Sequence, residues 1–251
     1  MSETIVLITG VGRGLGKGFL ETYLSRPNHT VIGTVRDPAA PSAQSLNSIP
    51  KATGSRLLLT QLEVANAEHY PKLISTIEEA GIKHLDIVIA NSGISTGSAP
   101  LAKADLGKVT KAFDINAVAV LRLYQTVRDL LEKSPSGNPK WMTLGSAAGS
   151  IAIIEQFGTA QFAPYAISKA AVHWITLAIH ASEKSWTAFS VHPGLVQTDM
   201  GNTGARSVGL EKAPTTIEES ITKTVAVLDD ATREATSGKL WDTLEVKELP
   251  W

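Results

Sequence analysis

The chain has 251 residues, a formal net charge of −1, 43% hydrophobic residues and 19% charged residues. This composition provides for a sizeable core and excludes a disordered chain. The charge balance gives no electrostatic reason to expect a nucleic-acid or anionic-membrane partner. The sequence contains no cysteine, so disulfides and thiolate chemistry are excluded.

The first ten residues, MSETIVLITG, lack the basic region and the long apolar run of a secretory signal. No stretch of the sequence approaches 18 uninterrupted apolar residues, so no transmembrane helix is expected. We therefore expect a cytoplasmic protein without a membrane partner.

Seven short apolar runs are predicted to be β-strands. Most are apolar on successive residues, which is typical of parallel strands that are buried on both faces. The runs lie at 4–8, 30–35, 56–62, 86–90, 141–145, 187–192 and 238–241.

Segments with helical periodicity separate these strands. In 67–80 the apolar positions recur at helical spacing, and Asn66 is a plausible N-cap. Further helices are predicted over 14–25, 105–133, 166–184 and 217–228. Alternation of strands and helices from end to end predicts an α/β fold with one open, doubly wound parallel sheet of about seven strands and helices on both faces.

We predict a single domain over 1–251, because no stretch has the length or composition of an interdomain linker. The Pro-rich segment 37–50 is interpreted as a surface connection. The segment 199–216 is the longest unpatterned stretch near the C-terminus. Such a loop inside a compact domain is often a lid, so we expect it to close over a substrate.

The glycine-rich stretch LITGVGRGLGKGF follows the first strand directly and opens the first helix. Glycine lets the backbone turn tightly and approach a ligand closely. The N-terminus of the helix offers unpaired N–H groups and a positive dipole end to a phosphate. Many strand-to-helix turns use glycine only for packing, but a strand, a turn and a helix at the start of a long α/β run favour a dinucleotide site.

Gly10, Gly14 and Gly16 fit the pattern T-G-x-x-x-G-x-G, which begins at Thr9, and the sequence here resembles the short-chain dehydrogenase/reductase family. The resemblance implies a Rossmann-type domain and a nicotinamide cofactor. It is carried along nearly the whole chain by TGVGRGLG (9–16), LEV (62–64), ANSG (90–93), FDINAVA (113–119), LGSAAGSI (144–151), YAISK (165–169) and HPGLVQTDM (192–200). The finer pattern resembles small carbonyl reductases of the Sniffer type and fungal ketoreductases related to norsolorinic acid ketoreductase.

The end of the second strand indicates which nicotinamide cofactor to expect. An NAD site places a carboxylate there, and by the resemblance it would fall at Val35, which cannot serve. Arg36 follows, and Arg13 lies in the glycine turn, so two cations bracket the place of a 2′-phosphate. This arrangement predicts NADP(H). The alternative is that Arg36 is a solvated loop residue paired with Asp37.

The resemblance also implies the remaining contacts with the cofactor. Glu63 and Val64 stand where relatives usually have Asp-Val at the adenine, and Asn91 would line the adenosine ribose. Val196 would meet the nicotinamide carboxamide through its backbone, and Thr198 would meet the amide or the pyrophosphate. The full expected set is Thr9, Gly10, Gly12, Arg13, Gly14, Leu15, Gly16, Arg36, Glu63, Val64, Asn91, Gly93, Tyr165, Lys169, Pro193, Gly194, Val196 and Thr198.

Tyr165 and Lys169 are four residues apart, which places them on one helix face. A free tyrosine has a pKa of about 10 and is a sluggish acid or base at neutral pH, whereas a nearby lysine cation favours the phenolate. By the resemblance, Tyr165 donates the proton, and Lys169 tunes it and holds the nicotinamide ribose. Ser146 is the second donor to the substrate oxygen, with Ser150 as its nearest competitor.

Asn116 lies within the predicted 105–133 helix. The resemblance implies that it holds a water linking Lys169 to solvent. The alternative is a purely structural residue at a helix kink.

Tyr165 follows Ser146 by 19 residues, an interval longer than in most relatives of the family. The additional residues fall in the apolar segment 150–163, which carries Phe157 and Phe162. We expect this segment to form one wall of a substrate pocket suited to a bulky or flat apolar carbonyl compound. The alternative is that it packs on a neighbouring subunit.

These expectations combine into an NADPH-dependent reductase of ketones or aldehydes. The alternatives are an alcohol dehydrogenase working in the oxidative direction and a non-catalytic NADP-binding regulator. The six histidines show no metal-ligand spacing, so no metal is expected. The expected partners are a small-molecule carbonyl or alcohol substrate and further copies of the chain. The resemblance implies that copies pair through the 105–133 and 166–184 helices as a dimer or tetramer.

Overall fold

Residues 3–251 are described by a computed structural model. Within them, eight strands form one sheet in the order β3-β2-β1-β4-β5-β6-β7-β8. The strands are β1 (Thr4–Ile8), β2 (His29–Val35), β3 (Arg56–Gln61), β4 (Ile87–Ala90), β5 (Lys140–Leu144), β6 (Thr187–His192), β7 (Leu240–Asp242) and β8 (Lys247–Leu249). Strands β1 to β7 are parallel, and β8 runs antiparallel to β7.

Helices cover both faces of this sheet. They are α1 (Gly14–Leu24), α2 (Pro41–Gln44), α3 (His69–Glu79), α4 (Leu106–Phe113), α5 (Ala119–Glu132), α6 (Ile154–Phe157), α7 (Ala163–Ser182), α8 (Asp199–Ser207) and α9 (Ile217–Asp230). Alternate residues of β1 serve the two layers: Ile5 and Leu7 pack in the core with α3, α5 and α7, whereas Val6 and Ile8 pack in the core with α1 and α9. The doubly wound architecture predicted from the sequence is therefore confirmed.

The predicted strands are present with shifts of a residue or two at their ends, but β8 is absent from the prediction. It has only three residues, two of them charged, so it carries no apolar run. Asn66 does not cap α3, because its carboxamide oxygen accepts the Glu68 N–H at 3.0 Å, within the turn that precedes the helix.

Two predicted segments differ from the structure. The helix expected over 105–133 is divided into α4, a π-helical segment (Asp114–Val118) and α5. The segment 199–216 is not an unpatterned loop throughout, because α8 occupies its first half. Gly201 and Gly204 lie inside α8, where they weaken the helical signal in the sequence.

The strand order reverses between β1 and β4, where the chain crosses from one half of the sheet to the other. In open α/β sheets, ligands bind beyond the carboxyl ends of the strands at such a point. The segments that follow the parallel strands β1 to β6 lie at this edge and carry most of the predicted site residues. In residues 3–251, no helix combines the length and apolar character needed to span a bilayer.

Candidate active site

The turn between β1 and α1 depends on glycine at three positions. Gly10 and Gly14 have left-handed backbones with φ of 75° and 57°, a conformation that favours glycine. A Cβ on Gly16 would lie 2.1 Å from the Gly10 carbonyl oxygen, so no side chain fits there. A Cβ on Gly12 would meet nothing within 4 Å, which leaves open space beside the turn.

Helix α1 begins at this turn without a side-chain cap. Arg13 occupies the N-cap position with an extended backbone and makes no capping hydrogen bond, and the first turn holds no acidic residue. The first N–H groups of a helix lack intrahelical partners, and the helix dipole places partial positive charge there. This helix end fits the pyrophosphate of a dinucleotide.

A second helix N-terminus lies beside the first. The Thr198 hydroxyl caps α8 by accepting the Gly201 N–H at 3.0 Å. A Cβ on Gly14 would lie 3.2 Å from Thr198 Cγ2, so α8 starts against the glycine turn. The approach to α8 turns at Pro193-Gly194, with φ of 87° at Gly194, and Val196 forms a β-bridge with Thr215. The two helix ends together make this edge of the sheet favourable to an anion.

Thr9 and Asn91 bind the glycine turn to the end of β4. The Asn91 main-chain N–H donates to the Thr9 hydroxyl at 3.0 Å, and its carboxamide donates to the Thr9 carbonyl at 2.8 Å. The same carboxamide donates to the Gly10 carbonyl at 3.3 Å. Asn91 thus shapes the turn through its side chain, and its contact with an adenosine ribose stays a prediction.

The two arginines differ in their surroundings. Arg36 is exposed directly after β2, and its carbonyl accepts from the Gln61 carboxamide at 3.0 Å. Asp37 accepts the Ala39 N–H at 2.9 Å, and no ion pair joins it to Arg36 in the part of the chain that the structure describes. Arg36 is therefore available to an anion, and the alternative pairing is not observed.

Arg13 pairs with Asp199, the first residue of α8. Its Nη1 lies 2.6 Å from the Asp199 carboxylate, and both side chains are about four-fifths exposed, at 78% and 80%. Since exposed ion pairs contribute little free energy, an incoming phosphate could displace Asp199. This pair could not be predicted from the sequence, because its partners are 186 residues apart.

Glu63 and Val64 follow β3 and are half-buried. The Glu63 N–H donates to His69 Nδ1 at 2.9 Å, and its carbonyl accepts the Asn66 N–H at 2.8 Å. These bonds hold the backbone of Glu63 and leave its carboxylate for a ligand. Contact with an adenine stays a prediction.

Asn116 is buried in the π-helical segment between α4 and α5. Its carboxamide accepts the Ile94 N–H at 2.8 Å and donates to the Ile94 carbonyl and to the Ser168 hydroxyl, both at 2.9 Å. Short π-helical insertions frequently occur at functional sites. The side chain joins the loop after β4 to α7, which supports the structural alternative, whereas the water-holding role stays a prediction.

Gly93 lies between Asn116 and Lys169. A Cβ at this position would lie 3.1 Å from the Asn116 Oδ1 and 3.8 Å from the Lys169 Nζ. The loop after β4 therefore approaches both side chains closely.

Tyr165, Lys169 and Ser146 converge at the end of β5. The Lys169 ammonium lies 5.6 Å from the centre of the Tyr165 ring and donates to the Leu144 carbonyl at 2.5 Å. Ser146 follows β5 by two residues, and its hydroxyl accepts the Ala148 N–H at 3.2 Å. The three predicted side chains are thus gathered at one place.

Burial is the main influence on the pKa values of Tyr165 and Lys169. It raises the pKa of Tyr165 above its usual value, and the neighbouring Ser146 hydroxyl opposes that shift. It lowers the pKa of Lys169 to about 8. Desolvation is the largest cause of the shift in the Tyr165 pKa, and the tuning of Tyr165 by Lys169 stays a prediction. Tyr165 therefore holds its proton at neutral pH and can donate it.

The structure distinguishes Ser146 from Ser150. The Ser150 hydroxyl donates to the Pro250 carbonyl at 2.6 Å, away from Tyr165. The Ser146 hydroxyl faces Tyr165 closely enough to affect its pKa. Ser146 is the serine whose hydroxyl faces the tyrosine.

The sequence prediction missed His173. This residue is buried on α7, four residues after Lys169, and its Nε2 accepts the Ser146 N–H at 3.2 Å. Burial lowers the pKa of His173 to about 3, so the ring is neutral. The helical spacing of Tyr165, Lys169 and His173 is the signal that could have revealed it.

Exposed apolar side chains occur in the predicted wall segment 150–163 and on α8. In the segment 150–163, Ile151 is 70% exposed and Phe157 is 50% exposed. The Ala163 N–H donates to the Ala99 carbonyl at 3.3 Å, which joins this segment to the loop after β4. Met200 on α8 is also exposed. Their contact with a substrate stays a prediction.

Within residues 3–251, no three histidine, aspartate or glutamate side chains cluster so that they could hold a metal ion.

Comparison with known sequences identifies relatives over the full length. The family model described as short chain dehydrogenase matches residues 4–208. Short-chain dehydrogenase srdF of Neurospora crassa is 39% identical, over 99% of this chain and 98% of that protein. Norsolorinic acid ketoreductase of Aspergillus parasiticus is 34% identical, over 99% of this chain and 92% of that protein.

Solved structures share the fold. The NADPH-bound carbonyl reductase from chicken fatty liver is 26% identical with a TM-score of 0.85, and the carbonyl reductase Sniffer of Drosophila melanogaster is 21% identical with a TM-score of 0.82. Both comparisons cover 100% of each chain; at its lower identity, the second shows the fold alone. The resemblance stated from the sequence is confirmed, and the chain belongs to the short-chain dehydrogenase family of oxidoreductases.

Proposed function

We propose that the protein is an NADP(H)-dependent carbonyl reductase that acts on ketones or aldehydes. The observation that carries the proposal is the convergence of Ser146, Tyr165 and Lys169 at the carboxyl edge of the sheet, beside an uncapped helix N-terminus. In this proposal the protein works in the cytoplasm on a small-molecule substrate.

The cofactor site is proposed from the glycine turn and the residues around it. The pyrophosphate would lie at the N-terminus of α1, where N–H groups have no side-chain cap. Arg36 and Arg13 would take the 2′-phosphate, with Arg13 leaving Asp199 to do so. The NADPH-bound and NADP-bound structures with the same fold support this preference.

The catalytic roles follow from chemistry and position. When bound, the reduced nicotinamide supplies the hydride. Ser146 and Tyr165 donate hydrogen bonds to the carbonyl oxygen as negative charge develops on it. Tyr165 then transfers its proton to that oxygen. Lys169, with a pKa of about 8, is mostly charged at neutral pH and stabilises the phenolate left behind.

The substrate is proposed to be a bulky or aromatic apolar ketone of polyketide type. Ile151 and Phe157 in 150–163 and Met200 on α8 expose apolar surface, and large exposed apolar patches often mark ligand grooves. Norsolorinic acid ketoreductases are among the relatives. We propose that 150–163 forms a wall of the pocket and that 199–216, with α8 at its start, closes over the substrate.

An assay of NADPH oxidation across a panel of ketones, aldehydes and aromatic polyketides tests this function. Tyr165→Phe should lower kcat by at least about a hundredfold, since general acid catalysis contributes about 10²–10⁴-fold. Tyr23→Phe is the matched control, because the buried Tyr23 hydroxyl has no hydrogen-bond partner within residues 3–251. Undiminished turnover in Tyr165→Phe would overturn the mechanism.

A second panel of secondary alcohols with NADP⁺, together with a measurement of NADPH binding, distinguishes the two alternatives. Turnover that is measurable only with secondary alcohols and NADP⁺ would favour the oxidative direction. NADPH binding without turnover of any substrate would favour a regulator.

The protein is also proposed to be a homo-oligomer. Exposed apolar side chains recur along α7, and α5 carries one more: Ile167, Trp174 and Leu177 on α7 and Leu121 on α5. The α7 positions follow helical spacing, so they lie on one face. This arrangement fits pairing of α5 and α7 with the same helices of another copy.

A further inference from the structure

The segment 247–251 returns from the edge of the sheet to the candidate active site. Strand β8 pairs with β7 through Leu249 and Leu240. These two leucines pack in one small core with Ala147 and Ile153, and Trp251 packs against it. Because Ala147 directly follows Ser146, this small core adjoins the proposed catalytic serine.

Two hydrogen bonds attach the segment to the start of the 150–163 wall. The Ser150 hydroxyl donates to the Pro250 carbonyl at 2.6 Å. The Ala152 N–H donates to the Trp251 main-chain oxygen at 3.0 Å. Ser150 is almost fully buried, so the donor side of its bond is shielded from water, whereas Pro250 is exposed.

The Trp251 ring covers His173. Their ring centres are 5.4 Å apart with an interplanar angle of 58°, within the range of favourable aromatic pairs. His173 in turn accepts the Ser146 N–H through Nε2. Trp251 therefore reaches Ser146 through a single intervening side chain.

The surroundings of His173 leave little room for adjustment. A Cβ on Gly145 would lie 2.6 Å from His173 Nε2 and 2.3 Å from the Ser190 hydroxyl. Interiors packed this closely transmit a displacement instead of absorbing it. A shift of the imidazole would thus move the peptide that precedes Ser146.

We propose that Trp251 and His173 are positioning residues that fix Ser146 and the start of the 150–163 wall for carbonyl reduction. The inference rests on the proposed function for its catalytic consequence. The positioning of residues 146–153 can be measured without turnover. The placement of Ser146 matters because a misplacement of about 1 Å at a reacting centre can lower the rate by about a hundredfold.

Trp251→Ala is the principal variant. It should lower kcat for ketone reduction by about ten- to a hundredfold and leave the KM for NADPH unchanged, because Trp251 contacts His173 and the small core beside Ala147. Trp251→Phe keeps an aromatic ring over His173 and should restore most of the activity. A role in stability alone would not lower kcat at an unchanged KM when the variant is assayed at a temperature at which it is fully folded.

Amide hydrogen exchange gives the readout that is independent of activity. Exchange in residues 146–153 should be faster in Trp251→Ala than in the parent, with no change in the glycine turn. Ser150→Ala, which removes the bond to Pro250, is a milder variant and should show the same direction if Trp251→Ala fails to fold. Val246→Ala, at an exposed position before β8, is the matched control.

The outcomes separate the two proposals. Parent protein without reductase activity on any carbonyl would contradict the proposed function, while the exchange data would still decide the positioning. Trp251→Ala and Ser150→Ala with parental kcat and parental exchange in 146–153 would overturn the inference.

Discussion

Burial sets the protonation state of the residues around Tyr165. Lys169 and His173 both have a pKa lowered by desolvation, to about 8 and about 3. Desolvation raises the pKa of Tyr165. At neutral pH the site therefore combines a protonated phenol, a lysine that is mostly charged and a neutral imidazole, which suits donation of a proton to a carbonyl oxygen.

The first residue-level prediction concerns Lys169. Its folded pKa of about 8 lies below the usual 10.5, so between about pH 8 and 10 the unfolded chain holds a proton that the folded protein has released. The free energy of unfolding should therefore rise with pH in this window, by up to about 1.4 kcal/mol per pH unit from this group. Urea unfolding of the parent and of Lys169→Met at several pH values measures how much of the dependence of the unfolding free energy on pH is due to Lys169.

Lys83→Met, at an exposed lysine, serves as the control and should keep the parental slope. The same slope in Lys169→Met as in the parent would show that Lys169 is not the group responsible.

The second residue-level prediction concerns the 2′-phosphate. Arg36→Ala should raise the KM for NADPH by about ten- to a hundredfold, because a hydrogen bond to a charged group contributes about 1.5–3 kcal/mol. The KM for NADH should stay the same, since that cofactor lacks the phosphate. Steady-state kinetics with both cofactors measure the difference.

Lys51→Ala removes the same charge from a neighbouring exposed site, where the ammonium bonds to the Asn47 carbonyl. It should affect neither KM. Equal activity of the parent with NADPH and NADH would contradict the assignment of Arg36.

Elements with a strong apolar pattern were predictable from the sequence, whereas elements held in place by tertiary contacts were not. Strands β1 to β7 are apolar runs, so their positions were clear within a residue or two. Helix α8 contains two glycines and β8 has two charged residues out of three, so neither shows a period. The π-helical segment reads as ordinary helix because its residues keep helical spacing.

The same limit applies to the site. Ser146, Tyr165 and Lys169 were found through short local motifs. The partners of Arg13 and Ser150 lie 186 and 100 residues away, so only the fold brings them together.

The hairpin formed by β7 and β8 contains a strained position. Val246 has φ of 51°, a left-handed backbone that costs a non-glycine residue about 1–2 kcal/mol. Its side chain is exposed and contributes little packing. Val246→Gly should therefore raise the free energy of unfolding by about 0.5–1 kcal/mol, which urea unfolding can measure.

Asn28→Gly is the matched control, because Asn28 also has a left-handed backbone with φ of 57° and asparagine tolerates that region. It should change the stability by no more than a few tenths of a kcal/mol. A Val246→Gly variant less stable than the parent would show that the turn is not strained.

At the scale of the whole molecule, the proposed active site and the proposed interface between copies lie on different sides of one sheet. The proposed cofactor and substrate residues lie at the carboxyl edge, whereas the apolar stripe of α7 lies on the outer surface of one helix layer. Helix α7 carries both, since Tyr165, Lys169 and His173 face inward and Trp174 faces outward. Pairing of two copies through α7 would therefore restrain the helix that bears the proposed proton donor.

Substitution of Trp174, which is 71% exposed on α7, tests whether this helix forms the interface between copies. A tryptophan at the centre of an interface often contributes 2 kcal/mol or more to binding. Trp174→Glu should therefore raise the dissociation constant by at least about thirtyfold. Light scattering coupled to size exclusion over a range of concentrations should show the parent as a dimer or tetramer and the variant as a smaller species.

Val208→Glu places the same charge at another exposed apolar position and should keep the parental mass. A monomeric parent, or a Trp174→Glu variant with the mass of the parent, would mean that α7 is not the interface and that its apolar stripe requires another explanation.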